Sequence, residues 1–134
     1  MRKRFTILLF LFVPLLYVWS SDCVAQSGAL GRISSCIERG SSNCLSPYLN
    51  SRIEITINNT RRVYAPGQAK FVLQQFFDSH PPMSFSIKHS GMRTGSRFAL
   101  AEYRSSKGTY EVNLFLKQSQ NGSFVIEKMR FARK

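Results

Sequence analysis

The chain has 134 residues and carries a formal net charge of +12, from 19 lysines and arginines against 7 aspartates and glutamates. This length is that of one domain and is enough for a single modest core. The charge favours anionic partners, opposes nonspecific self-association, and makes nucleic acid the first class of partner to weigh.

The N-terminus has the pattern of a secretory signal. A basic MRKR start precedes the apolar run Phe5 to Trp19, and small and polar residues follow it. The run is shorter than the roughly 20 residues that a membrane-spanning helix needs. We therefore predict that residues 1–25 are cleaved after Ala25, leaving residues 26–134 as a single domain without a stable membrane span. A retained anchor is the alternative. Export to the periplasm or the exterior argues against nucleic acid as a partner.

Two cysteines, Cys36 and Cys44, remain after this cleavage. An even number of cysteines in an oxidising compartment favours a disulfide. Closing a loop of about nine residues would contribute roughly 2 to 3 kcal/mol. The alternative is two unpaired cysteines facing the core. Two cysteines without an adjacent histidine do not make a metal site, and we expect neither a metal nor a cofactor.

The first half of the mature chain predicts two helical segments and a strand pair. Apolar residues recur at three- and four-residue steps over Ala29 to Arg39, and Gly40 ends this helix. A helical turn over residues 44–49 follows. Residues 52–58 then alternate apolar and polar side chains as a half-buried strand does. An Asn-Asn pair predicts a tight turn into a return strand over residues 61–64.

The clearest helix begins at Pro66, because proline is favoured at the first helical position. It ends at His80, which two prolines follow. Its position at the helix exit predicts a surface role for His80. The predicted buried stripe consists of Ala69, Val72, Leu73, Phe76 and Phe77.

After Pro82 the period of the apolar pattern falls from 3.6 to 2, which predicts an antiparallel meander. The last two strands present Tyr110 to Leu116 and Phe124 to Phe131. The side chains of the first strand that are predicted to face inward are Met83, Phe85, Ile87 and His89. Those of the second strand are Phe98, Leu100 and Glu102, whereas Ala99, Ala101 and Tyr103 lie on its opposite face. The order of elements predicts an α+β fold, with helices packed on one face of a curved antiparallel sheet.

This order resembles the superfamily named for nuclear transport factor two, and more narrowly the secreted bacterial family known as domain of unknown function 4783. The resemblance covers about Ala29 to Phe131. The residues that carry it are Tyr64, Gln68-Ala69, Phe76-Phe77, Phe85 and His89-Ser90-Gly91. It implies a cone-shaped fold, in which the sheet wraps around the N-terminal helices and one central helix and often leaves a pocket. It implies no activity, because enzymes of the superfamily place an Asp or His base in the pocket whereas other members bind or dimerise.

The ligand pocket candidates are Phe76, Phe85, His89, Phe98 and Glu102. An inward His89 beside an inward Glu102 would form a general base and its orienting partner, which makes these two the candidate catalytic residues. The alternatives are a His89 that the core satisfies and a solvated Glu102. Motifs for a serine nucleophile, a zinc-binding helix or a phosphate-binding loop do not occur in the sequence.

These observations favour an exported, noncatalytic domain that binds a small molecule or a protein through the cone pocket or the open sheet face. One alternative is a structural homodimer, joined through an outward apolar strip that includes Ala99, Ala101 and Phe115. The other alternative is a pocket enzyme with His89 as general base.

Overall fold

The computed structural model describes residues 28–134, so the predicted signal lies outside the described residues. The helices are α1 (Ala29–Glu38), α2 (Ser42–Leu45), which a 3₁₀ turn (Ser46–Tyr48) extends, and α3 (Pro66–Ser79). The strands are β1 (Leu49–Ile57), β2 (Thr60–Tyr64), β3 (Pro82–Arg93), β4 (Ser96–Ser105), β5 (Gly108–Gln118) and β6 (Phe124–Arg133). No helix within residues 28–134 combines the length and apolar character needed to cross a membrane.

The six strands form one curved sheet in the order β2-β1-β6-β5-β4-β3, and the helices pack on one of its faces. We call the opposite face the outer face. The predicted α+β fold is confirmed. Neighbouring strands are antiparallel except β1 and β6, which pair in parallel. The sequence did not predict this pair, because alternation along a strand reports its buried face and not the direction of its neighbour.

A disulfide between Cys36 and Cys44 joins α1 to α2, with 5.3 Å between the Cα atoms, as predicted. Helix α1 ends at Gly40, whose φ of +66° is easily reached only by glycine. Gln74 of α3 holds the same corner from the other side. Its Oε1 accepts hydrogen bonds from the Ser42 backbone amide at 3.1 Å and from the Ser42 hydroxyl at 2.9 Å. The buried polar groups at the start of α2 are therefore satisfied.

The inward face of β4 is the reverse of the prediction. Ala99 and Ala101, predicted to face away from the helices, are 2% and 1% exposed, whereas Phe98 is 43% exposed on the outer face. Ala99 pairs directly with the buried Leu114, and Tyr103 occupies the space beneath α3. Small residues on the inward face let the helices approach the sheet, and the period-2 pattern alone does not say which of its two faces is buried.

The predicted inward position of His89 is also wrong. The pairing of β3 with β4 shifts between Ile87, which pairs with Ala101, and His89, which pairs with Leu100. Directly opposed residues of antiparallel strands share a face, so this β-bulge moves His89 to the outer face. His89 is exposed.

The disulfide yields the first prediction. We expect the double variant Cys36→Ser, Cys44→Ser to lose about 2 to 3 kcal/mol of unfolding free energy, because the unfolded chain regains the entropy of an open loop. Urea denaturation with and without dithiothreitol measures it. The reductant should destabilise the parent and leave the double variant unchanged, and a parent insensitive to the reductant would contradict the prediction.

Candidate functional site

The interior of the cone is filled by aromatic side chains. The ring of Phe76 lies 4.5 Å from that of Phe131, 5.2 Å from that of Tyr110 and 5.6 Å from that of Tyr103, measured between centroids. All four residues are buried, and Phe85 is only 7% exposed. Two of the predicted pocket residues, Phe76 and Phe85, thus belong to the core and line none of the clefts described below.

His80 closes this aromatic cluster, although the sequence predicted a surface role for it. Its ring is half-buried and stacks on Phe76 at 4.7 Å. Nδ1 lies 3.3 Å from the Phe76 carbonyl oxygen, and Nε2 lies 3.1 Å from the Tyr110 hydroxyl. Because a carbonyl oxygen can only accept, this geometry suits a proton on Nδ1, and in the neutral ring Nε2 then accepts from the Tyr110 hydroxyl.

Tyr103 holds the same helix exit from below. Its hydroxyl donates a hydrogen bond to the His80 carbonyl oxygen. Burial raises the pKa of this hydroxyl well above its ordinary value, and the neighbouring Tyr110 raises it further. Tyr103 is therefore a neutral donor that fixes the end of α3 to the sheet.

Glu102 lies on the outer face, not inside the cone. Its carboxylate accepts a hydrogen bond from Lys134 Nζ at 2.9 Å and another from Arg104 Nε at 2.7 Å. These two hydrogen bonds, that of Lys134 foremost, lower the pKa of the carboxyl from its ordinary value of 4.5 to about 2. Glu102 is thus a permanently charged member of a surface ion cluster.

The structure does not bring the predicted pair His89 and Glu102 together. Across the strands, Glu102 faces Ser86 and Glu111, whereas His89 faces Leu100. Within residues 28–134 the hydrogen bonds of the Glu102 carboxylate go to Lys134 and Arg104, and none joins it to His89. A histidine base oriented by this carboxylate is not formed.

An open groove crosses the outer face at the end where β3 turns into β4. Phe98 and Phe115 pair directly across β4 and β5 and are 43% and 45% exposed. We name this feature, of about 500 Å³, the outer groove; it is lined by Arg93, Arg97, Phe98, Phe115, Glu127 and Lys128 among others. The sequence identified Phe98 as a pocket residue and Phe115 as outward-facing, but it missed the cations. The one sequence signal for these cations is Lys128, a charged residue that alternates with the apolar residues of β6.

Phe98 has a second role in this groove. It pairs directly with Gly91, and a Cβ atom added to Gly91 would lie 2.3 Å from the Phe98 ring. The ring therefore lies flat over the glycine backbone of the edge strand, so replacing either residue changes the local strand as well as the groove.

A second cleft lies on the helix side of the sheet, between α1 and β3. We name this feature, of about 400 Å³, the helix cleft; it is lined by Leu30, Gly31, Ser34, Ile87, Lys88, His89, Ser90 and Arg97. A third, more open cleft lies beside Phe71 on α3. Within residues 28–134, no group of three or more His, Cys, Asp or Glu side chains is arranged to hold a metal ion.

The family described as "Domain of unknown function (DUF4783)" matches residues 30–132. The chain therefore belongs to this family, as its sequence resemblance predicted. A search of the curated proteins finds no match.

Solved structures of the same family support the assignment. The chain is 25% identical to a DUF4783 family protein from Bacteroides uniformis, with a TM-score of 0.77 over 80% of this chain and 98% of that chain. It is also 25% identical to a DUF4783 family protein from Bacteroides ovatus, with a TM-score of 0.74 over 77% of this chain and 93% of that chain.

A more distant neighbour shares the fold alone. It is an NTF2-like protein of unknown function from Shewanella baltica, which is 13% identical with a TM-score of 0.62 over 78% of this chain and 87% of that chain. The cone-shaped α+β fold related to nuclear transport factor two is confirmed by this likeness.

The two histidines give a matched test of the aromatic cluster. We expect His80→Ala to cost about 2 kcal/mol of unfolding free energy, because it removes the stacking on Phe76 and leaves the buried Tyr110 hydroxyl without its partner. His89→Ala should change the value by less than about 0.5 kcal/mol, because the side chain is exposed. Urea denaturation of both variants measures the difference, and equal costs would contradict the assignment.

The ion cluster of Glu102 predicts a dependence of stability on pH. The folded-state pKa of about 2 is below the ordinary value of 4.5, so the stabilisation is complete above 4.5 and is lost as the pH falls toward 2. We expect the unfolding free energy of the parent to fall more steeply over this range than that of Glu102→Gln, at low ionic strength. Glu38→Gln, which removes an exposed carboxyl of α1, should keep the steep parental curve; equal curves for the parent and Glu102→Gln would refute the assignment.

Proposed function

We propose that this domain is an exported, noncatalytic binding module whose outer groove takes an acidic protein segment that carries aromatic or aliphatic side chains. The observation that carries the proposal is the pair Phe98 and Phe115, 43% and 45% exposed and directly opposed on the outer face. Arg93, Arg97 and Lys128 line the same groove.

The phenyl pair supplies the apolar part of such an interface. Two neighbouring aromatic rings on an open sheet lose unfavourable contact with water when a partner covers them. Aromatic residues are the usual anchors of protein interfaces, and charged residues around them govern the approach of the partner more than the final affinity. Two exposed phenyl rings with cations beside them therefore suit a segment of acidic and apolar residues.

The charges on the outer face favour an acidic segment over a basic one. The outer face contains carboxylates, but Glu54 pairs with Arg61 at 2.8 Å, and Glu102 pairs with Arg104 and Lys134. Glu54 and Glu102 are therefore neutralised by their own neighbours, whereas Glu111, opposite Glu102, is in no ion pair among residues 28–134. At the groove, the described lining residues include one acid, Glu127, against the three cations Arg93, Arg97 and Lys128.

A second copy of this chain is a weaker occupant. Self-association would oppose two surfaces of a protein whose formal net charge is +12. Ala99 and Ala101, which were to form part of the dimer strip, are buried in the core. The homodimer remains an alternative outcome of the test below.

An enzyme is weaker still. His89 is exposed, and no described carboxylate orients it. A carboxylate with a pKa of about 2, such as that of Glu102, is a poor general base near neutral pH.

Two features support export. The N-terminal sequence is basic and then apolar in the manner of a secretory signal. The bond between Cys36 and Cys44 is of a kind that persists in oxidising compartments.

The test uses a synthetic peptide of Glu-Glu-Phe repeats and its Lys-Lys-Phe counterpart. We expect only the acidic peptide to bind, and Phe115→Ala and Lys128→Gln each to weaken it about tenfold, the loss of about 1.4 kcal/mol typical of a central interface side chain. Isothermal titration calorimetry measures the affinity, and NMR amide shifts locate the bound face.

Phe71→Ala is the matched control, because Phe71 is an exposed phenyl ring on α3, at 64% exposure. It should leave binding unchanged. Equal binding of both peptides, or equal effects of Phe71→Ala and Phe115→Ala, would contradict the proposal. A dimer in light scattering that Phe115→Ala dissociates would replace it with the homodimer.

A further inference from the structure

We propose that the helix cleft is a separate site for a small molecule that carries a phosphate or sulfate ester group. The cleft lies on the helix side of the sheet, and Arg97 is the one lining residue that it shares with the outer groove. Its volume of about 400 Å³ falls within the range of small-molecule sites.

The β-bulge of β3 builds one wall of this cleft. In a regular strand, successive side chains point to opposite faces, so Ile87 and Ser90, three residues apart, would not line one cavity. Here the pairing shift after Ile87 inserts Lys88 as an extra residue, which brings Ser90, the partner of the inward Ala99, to the same face as Ile87, and both line the cleft with Lys88. Bulges commonly redirect side chains next to functional sites.

The polar lining residues are all suited to an anion. Lys88 and Arg97 contribute positive charge, and Ser34 and Ser90 contribute hydroxyl donors. Within the part of the chain that the structure describes, no carboxylate lines the cleft. Among residues 28–134 the ion pairs are Arg61–Glu54, Arg104–Glu102 and Lys134–Glu102, so neither Lys88 nor Arg97 is neutralised by one.

The number of donors favours a tetrahedral oxyanion over a carboxylate. A phosphate or sulfate group offers three terminal oxygens to donors that converge from different directions, whereas a carboxylate offers two oxygens in one plane. The arginine fork can bind two of these oxygens at once. Donors here come from three elements, with Ser34 on α1, Lys88 on β3 and Arg97 on β4.

The apolar lining residues of the cleft favour an ester over the free inorganic ion. Leu30 of α1 and Ile87 of β3 line the cleft beside the cations. Leu30 is 4% exposed and Ile87 is half-buried, so Ile87 supplies the more accessible apolar surface of the cleft. A ligand with a short apolar group next to its oxyanion fits both parts of the lining.

Calorimetry on the purified protein with phenyl phosphate, phenyl sulfate, inorganic phosphate and phenol tests this site. We expect both phenyl esters to bind more tightly than inorganic phosphate, and phenol not to bind. Whichever ester binds better identifies the group. Lys88→Gln and Arg97→Gln should each weaken the preferred ester by about tenfold or more, because each removes a charged hydrogen-bond donor.

Lys107→Gln and Arg62→Gln are the matched controls, since they remove the same charges from exposed positions outside the cleft. They should change the affinity by less than about twofold. Absence of binding by both esters at millimolar concentration, or equal losses in the controls, would overturn the site. Equal affinity for phenyl phosphate and inorganic phosphate would overturn the ester assignment.

The site and the proposed function fail separately. Phe115→Ala should leave ester binding intact, and Lys88→Gln should leave binding of the acidic peptide intact. Because Arg97 lines both clefts, Lys88→Gln is the variant that decides between them. A loss of both activities in Lys88→Gln would overturn the separation of the two sites.

Discussion

The packing of Phe76 against the sheet is the constraint on which the rest of the structure depends. Its ring contacts Tyr103, Tyr110 and Phe131 and stacks on His80, so the central helix and the sheet share one aromatic cluster. The cluster fills the interior of the cone. Because protein interiors pack densely, a ligand has no room there unless these rings move. The outer groove and the helix cleft lie instead at the surface, one on each face of the sheet.

The β-bulge at Lys88 connects this core to both clefts. Before the bulge, Phe85 and Ile87 follow the inward pattern of the strand; after it, His89 and Gly91 lie on the outer face. Gly91 then lies beneath the Phe98 ring, which sets one side of the outer groove. The same shift gathers polar side chains along the helix cleft. One extra residue in an edge strand thus shapes both the outer groove and the helix cleft. A strand with regular alternation would form neither of them.

Much of the fold could be predicted from the sequence, because periodicity, proline and glycine act locally. The start of α3 at Pro66, the end of α1 at Gly40 and the strand boundaries depend on such signals. The sites could not be predicted, because they depend on long-range contacts. The inward face of β4 is set by the fit of Ala99 beside Leu114, and the bulge by the register with β4. His80 was misjudged for the same reason, since its partner Tyr110 is 30 residues away in the chain.

The two ends of the outer face differ in their charge. At one end, Glu102 and its opposed neighbour Glu111 lie near Arg104 and Lys134, and the ion pairs of Glu102 offset the repulsion between like charges. At the other end, around the turn from β3 to β4, cations outnumber carboxylates and both clefts meet at Arg97. A folded protein tolerates such an excess only where solvent and counterions screen it. An anionic ligand replaces those counterions. Repulsion among the cations lowers the stability of the isolated fold, and the same cations make the most favourable new interactions when an anionic ligand binds.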